Sequence, residues 1–444
     1  MMDKDKLTRL ARIACDAAIS NGAEYADVSA DSGRSLSVEL ESNAIKSCDS
    51  KQGGGIYVRA IYKGGTGWAN TDKLTDEDAA KAGKHAASLA RLAEPDPDFI
   101  TLPSPAQRYT QVAGLGDPAV GQVDIKQLIG YSLSNVDGAL AACGEAIVSG
   151  GFASRYVSSS LVNSLGVSLA DEGSSINGYI MVIVKRGDDV GSFYDFDAAR
   201  NLADFDPAGV GANTAKEALK FLGAKKIETG RMPVILGPLA SSSIFDSIAD
   251  NANAESIQRR RSFMMDKLGQ KIGSDVLTIT DEPHIPGGLS SRGWDSEGFP
   301  TNPLTIMENG VLKSYLYGSY TAGKAGVANT GHGTRGASAR PSNVTPKLGT
   351  ITSEQIIRDT KEGLYINMGG LNPNSTTGDV SVSVDFGFKI ENGELAYPVM
   401  NAMVGGKFLE MLANVDAVSS DYRAEPGMVM PTVRIMDCLV AGGK

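Results

Sequence analysis

MPVILGPLASSSIFDSIADNANA, residues 232–254, is the stretch on which the reading of this chain turns. Met232 to Leu236 is a short apolar run, Gly237-Pro238 stops it, and residues 239–254 carry a helical pattern. The strand opens a second folding unit near residue 226. A metal-bearing catalytic helix at this place would present two histidines on one face with a carboxylate nearby. Residues 239–254 contain no histidine and no cysteine.

Upstream, residues 1–225 read as an N-terminal α/β domain. Leu7, Leu10, Ala11, Ala14, Ala17 and Ala18 share one face of a helix over 4–21, which Asn21-Gly22 ends. Strands are expected over 25–32, 34–47 and 55–69, with Gly53-Gly54-Gly55 as a flexible turn. Thr75-Asp76-Glu77-Asp78 caps a helix to about Leu92. Prolines 95, 97, 103 and 105 make 94–120 an irregular connector. A helix over 124–147, strands over 152–163, 166–176 and 177–186, and a helix over 207–222 follow. This second segment repeats the logic of strands backed by helices, without a residue-level repeat.

Downstream, residues 226–444 read as a mostly β C-terminal domain with a few helices, so the whole chain is α+β. Asn309-Gly310 and Asn392-Gly393 each sit between alternating runs, and both residue types tolerate the positive φ that a two-residue hairpin needs. Ser353 to Tyr365 reads as a capped helix, and Thr432 to Leu439 as a closing strand.

A net charge of −10 over 444 residues makes nucleic acid an unlikely partner, since an acidic surface repels phosphates. The one dense basic cluster, Arg259-Arg260-Arg261, fans its side chains apart at helical spacing. Cys15, Cys48, Cys143 and Cys438 form no C-x-x-C pair, and four scattered thiols fit a reducing compartment. The first residues hold no apolar run of signal-peptide length, and no stretch of about 18 apolar residues occurs. The expectation is a cytoplasmic protein with no membrane association.

The three histidines, His85, His284 and His332, share no helix. His85 reads as a surface or packed residue, whereas His284 and His332 lie in loops that could converge with carboxylates on a metal. Residues 331–336, GHGTRG, fit G-x-G-x-x-G but open no helix, so a dinucleotide site is not supported. Gly331, His332 and Gly333 are instead a candidate cavity loop. Asp295 and Glu297 read as a solvated acidic turn. No nucleophile elbow or P-loop is present, and no serine has a recognisable histidine partner.

The segments PVILGP (233–238), SIQRRRSFMMDKLGQKI (256–272), DSEGFPTNPLTIMENGVLKSYLYGSYTAGKAGVANTGHG (295–333), GLYINMGG (363–370), TGDVSVSVDFGFKIENGELAYPV (377–399) and PTVRI (431–435) resemble the TldD/PmbA family. This family is also called modulator of DNA gyrase. Residues 26–47, 53–75 and 139–149 fit it too, so the resemblance spans nearly the whole chain.

The resemblance implies two kinds of subunit. The TldD kind carries H-E-x-x-x-H on the helix after the PVILGP-like strand, and a later cysteine completes its zinc site. The PmbA/TldE kind lacks these ligands and pairs with it, the pair acting as a cytoplasmic peptidase on unfolded peptides and in peptide maturation. Counting from Pro238, the histidine, glutamate and histidine positions fall on Asp246, Ser247 and Asn251, and the cysteine position falls near Ala417. The expectation is therefore a PmbA/TldE-type subunit with no metal of its own and no catalytic residue to assign, inactive alone. Its zinc sits in a TldD-like partner, and a peptide is its substrate. The alternative is a non-enzymatic peptide-binding or scaffold homodimer of the same fold.

Overall fold

Asp3 starts the first helix, α1 (Lys4–Ser20), by accepting the Lys6 amide at 2.8 Å, and Leu7, Leu10, Ala11, Ala14 and Ala18 bury its apolar face. The computed structural model describes residues 2–106 and 108–443. After α1 come β1 (Tyr25–Glu41), β2 (Ala44–Tyr62), β3 (Gly65–Thr71) and α2 (Asp76–Leu92). Among the described residues the proline-rich connector holds only the short helix α3 (Pro118–Gln122). Then α4 (Ile125–Ala142), β4 (Ile147–Asn163), β5 (Ser168–Arg186), β6 (Asp189–Ala199) and α5 (Val210–Lys220) repeat the order helix, three strands, helix.

The two repeats form one six-stranded sheet, ordered β3-β2-β1-β4-β5-β6, with the first strand of each repeat at the centre. Asp27 to Leu40 run antiparallel to Gly150 to Asn163 across that seam. Every pairing is antiparallel, so this half is α+β by its own topology. The duplication is therefore one of topology. Helices α1 and α2 pack as a pair against one end of the sheet, α4 and α5 against the other.

Gly53-Gly54-Gly55 is not a turn. It lies inside β2, where Gly53 faces Gly33 and Gly54 faces Ser32. A Cβ on Gly54 would drive into the carbonyl of Asp31, so glycine here permits close strand approach rather than reversal. The reversal is made by Ser42 and Asn43, at φ 50° and 68°. The strands expected over 166–176 and 177–186 are one strand, Ser168–Arg186, and α4 stops at Ala142, five residues before the expected end. The edge strand β6 had no sequence-based assignment.

The C-terminal half opens with β7 (Gly230–Leu236), α6 (Pro238–Asn251) and α7 (Ala254–Gln258). Arg259 to Arg261 follow the end of α7 rather than extending a helix. A small sheet joins β8 (Ile279–Asp281), β9 (Leu304–Glu308), β10 (Val311–Leu312) and β11 (Val344–Pro346), with α8 (Ser319–Ala325) between β10 and β11 in the chain. Then come α9 (Ser353–Arg358), β12 (Glu362–Met368), β13 (Asp379–Val384), β14 (Phe386–Glu391), β15 (Glu394–Val399), β16 (Ala402–Lys407), α10 (Phe408–Ala413), β17 (Val415–Glu425) and β18 (Met428–Ala441).

The large sheet runs β13-β16-β18-β7-β12-β14-β15, with β17 also on β18. Both Asn-Gly hairpins form, at φ 46° and 77° for Asn309-Gly310 and 53° and 80° for Asn392-Gly393. The helix expected to Tyr365 ends at Arg358, because Glu362–Met368 is a central strand, parallel to β7 and antiparallel to β14. Interior pairing outweighs local helix preference there.

Candidate functional site

Helix α6 starts directly off the central strand β7. Gly237 is the N-cap and Pro238 the first helical residue, where a missing N–H costs nothing. Ile244, Phe245, Ile248 and Ala249 anchor the helix in the C-terminal core. Asp246 lies on the other side. Its carboxylate helps line a cleft of about 250 Å³ with Ser242 and Phe245 of α6, Leu289 and Ser290, Ser342 to Val344, and Pro426 to Met430 of the last hairpin. Asp246 is exposed on this side of the helix. Lost hydration, reinforced by Asp250 one turn on, raises its pKa to about 6.

Ser247 and Asn251 turn the other way. Both are buried, Asn251 Nδ2 donates to the Ser247 carbonyl at 2.8 Å, and the Asn251 carbonyl accepts from Ser262 Oγ at 2.6 Å. Residues five apart on an α-helix point roughly 140° away from each other. Asp246, Ser247 and Asn251 therefore do not converge on one point. Among the described residues no three His, Cys, Asp or Glu side chains gather as a metal would need. These positions do not fit a zinc ion.

The second candidate, Gly331-His332-Gly333, is buried along its whole length. His332 Nε2 meets Asp281 Oδ2 at 3.0 Å and Nδ1 meets Thr330 Oγ1 at 2.9 Å, so both ring nitrogens are engaged. Asp281 also takes the Ser342 amide at 2.6 Å and its hydroxyl. The loop is a structural node. Its successors Thr334 and Arg335, not the three predicted residues, line an open cavity of about 370 Å³ beside Asp295 and Trp294. His284 bonds separately to Thr301 Oγ1 at 3.1 Å, and His85 is exposed on α2.

The acidic turn is not solvated. Asp295 and Glu297 are 2% and 3% exposed. Asp295 Oδ1 accepts the amides of Glu297 and Phe299, and Oδ2 accepts that of Gly333 at 2.8 Å. Glu297 Oε2 accepts the Ser319 amide at 2.8 Å. Burial pushes Asp295 up to about 6, and burial together with the charge of Asp295 pushes Glu297 to about 7. Sequence gave one signal, the glycines that flank His332. Gly333 has no room for a Cβ between these two carboxylates.

A helix-backed antiparallel sheet joined to a mixed sheet that carries α6 places this chain in a class of multi-sheet α+β proteins with known crystal structures. One, a candidate modulator of DNA gyrase from Bacteroides thetaiotaomicron, superposes with a TM-score of 0.90 at 25% identity over 100% of both chains. TldE from Thermococcus kodakarensis has the same fold, with a TM-score of 0.88 over 98% of this chain and 100% of its own, at 23% identity.

Three models of one family match in chain order: PmbA/TldA metallopeptidase domain 1 over 26–90, the central domain over 119–222, and the C-terminal domain over 229–442. The chain belongs to the PmbA/TldD metallopeptidase family. Metalloprotease PmbA of Escherichia coli O157:H7 is 26% identical over 95% of this chain and 93% of its own length. The Metalloprotease PmbA homolog of Haemophilus influenzae is 28% identical over 94% and 92%.

Proposed function

We propose that this chain is the non-metal-binding subunit of a TldD/TldE-type metallopeptidase, which holds an extended peptide while a TldD-like partner supplies the zinc and the chemistry. The observation that carries this reading is the orientation of α6. Asp246 alone of the three motif positions reaches the cleft, while Ser247 and Asn251 are committed to the interior. Relatives named Metalloprotease PmbA along nearly the whole chain support the peptidase context. Backbone pairing at a free strand edge would suit unfolded peptides of varied sequence, because its affinity comes from main-chain hydrogen bonds. The reading puts both subunits in the cytoplasm.

The test is metal analysis and cleavage of an unfolded peptide by the purified chain, alone and with a TldD-type subunit. The expected result is substoichiometric zinc and no cleavage alone, and cleavage once the partner is added. Stoichiometric zinc with full activity in the isolated chain overturns the reading. Peptide binding with no gain in rate from any TldD-type partner returns the chain to a scaffold role.

A further inference from the structure

The cleft beside α6 combines three properties. Its walls are largely apolar, from Phe245, Leu289, Val344, Pro426, Met428 and Met430. Its polar lining residues are Ser242, Ser290, Ser342, Asn343 and one carboxylate residue, Asp246, with no lysine, arginine or histidine among the lining residues. At about 250 Å³ it lies below the roughly 300–1,000 Å³ of sites for drug-sized ligands, and suits a single long side chain.

The Asp246 carboxylate has no hydrogen-bond or ion-pair partner among the described residues, in contrast to the buried carboxylates of Asp27, Asp281, Asp295 and Glu297. An exposed carboxylate with no protein partner, set beside apolar walls, is free to pair with a cation brought by a ligand. Apolar walls around a terminal anion match a methylene stem that ends in a positive charge.

We propose that this cleft is a specificity pocket for an alkylammonium group of the bound peptide, with Asp246 as the residue that recognises it. The group is a lysine side chain or a free peptide amino terminus, which share this chemistry. Ser342 ties the pocket to the interior, because its amide and hydroxyl are held by Asp281, the same carboxylate that holds His332. Arg200 steadies the opposite wall by donating to the carbonyls of Gly288 and Leu289 at 2.8 and 2.7 Å. The pocket is thus built on fixed elements, as a discriminating site must be.

This inference rests on the peptide-binding reading above. The full chain, with a TldD-type subunit if binding requires it, is titrated with a labelled unstructured peptide in three forms. One has a single lysine and an acetylated terminus, one has norleucine in its place and an acetylated terminus, and one has norleucine and a free terminus. Norleucine keeps the stem and removes the charge. At neutral pH one of the two charged forms should bind about tenfold more tightly than the uncharged form, the scale of one charged hydrogen bond, and which one identifies the source. Asp246→Asn, nearly isosteric on the open side of α6, should abolish that difference and leave the uncharged peptide unaffected. Equal binding of all three forms overturns the pocket and leaves peptide binding standing, as does a preference that persists in Asp246→Asn. No binding of any form overturns the peptide-binding reading itself.

Discussion

Arg335 and Asp27 lie 308 residues apart and meet face to face between the two halves of the molecule. Arg335 donates through Nε to Asp27 Oδ1, through Nη1 to Ser29 Oγ at 2.6 Å, and through Nη2 to the Asp27 and Tyr57 carbonyls at 2.8 and 2.9 Å. Arg59 Nε takes the other oxygen of Asp27 at 2.6 Å, and Trp68 stacks over both guanidinium groups. A loop of the C-terminal half is thereby fastened to the middle of the six-stranded sheet.

Arg335→Ala should therefore weaken the joint rather than either core. Removing one partner of a buried charge cluster costs about 2–4 kcal/mol. Trp68 is one of only two tryptophans, so its fluorescence reports the change directly. Denaturant unfolding followed by fluorescence should begin earlier and separate from the loss of backbone ellipticity. Coincident transitions with an unchanged midpoint would mean that the joint contributes nothing.

Glu297 sets a pH dependence whose sign is fixed by the direction of its shift. Its folded pKa of about 7 lies above the ordinary 4.5, so the folded state binds the more protons between those values. Stability from this group is present below about pH 4.5 and is lost as pH rises toward 7. Asp295 and Arg59 face it, and Asp295 slopes the same way. Glu297→Gln, neutral throughout, should reduce the slope of the melting temperature across pH 4.5–7. An unchanged slope in the variant assigns the dependence elsewhere.

Gly333 is predicted to be irreplaceable for steric reasons. A Cβ there would overlap the Glu297 carboxylate and come within 3.0 Å of Asp295 Oδ2, and Glu297 is pinned by the Ser319 amide. Gly333→Ala should cost about 1–3 kcal/mol, as overpacking does. Gly336→Ala, whose nearest neighbour is 3.8 Å away, should be near neutral in the same urea titration. Equal effects of the two would remove the steric argument.

Arg200 makes an unusual staple, donating to four backbone carbonyls, those of Leu115, Ser174, Gly288 and Leu289. A lysine cannot reproduce that planar fork. Arg200→Lys should lower stability by about 1–3 kcal/mol and speed amide exchange at residues 288–290, which include the cleft-lining Leu289 and Ser290. Exchange rates matching the parent would show that the loop holds itself.

Local chemistry was readable wherever the determining residues are neighbours in sequence. Thr75 caps α2 through the Asp78 amide, both Asn-Gly pairs turn hairpins, and the burial of α1 follows its periodicity. The reading failed where a distant element decided the outcome. Glycines 53 to 55 predict a turn by sequence because their loose backbone is a local property, while their closeness to β1 is not. Glu362–Met368 became a strand because two others flank it. Asp295 and Glu297 read as wet because carboxylates two apart usually are, and nothing near them in sequence reveals that Gly333 and Ser319 close over them.

Sequence by itself determined the family, the α+β class and the absence of histidine from the helix after β7, since these depend on residue type and order alone. Only the tertiary structure decided which side of that helix faces a cleft. It also decided that the His332 loop is a buried node, and that Asp27, Arg59 and Arg335 form one joint. Burial is set by which surfaces meet, and a charge changes its meaning when water is taken from it, so these properties belong to the packed chain.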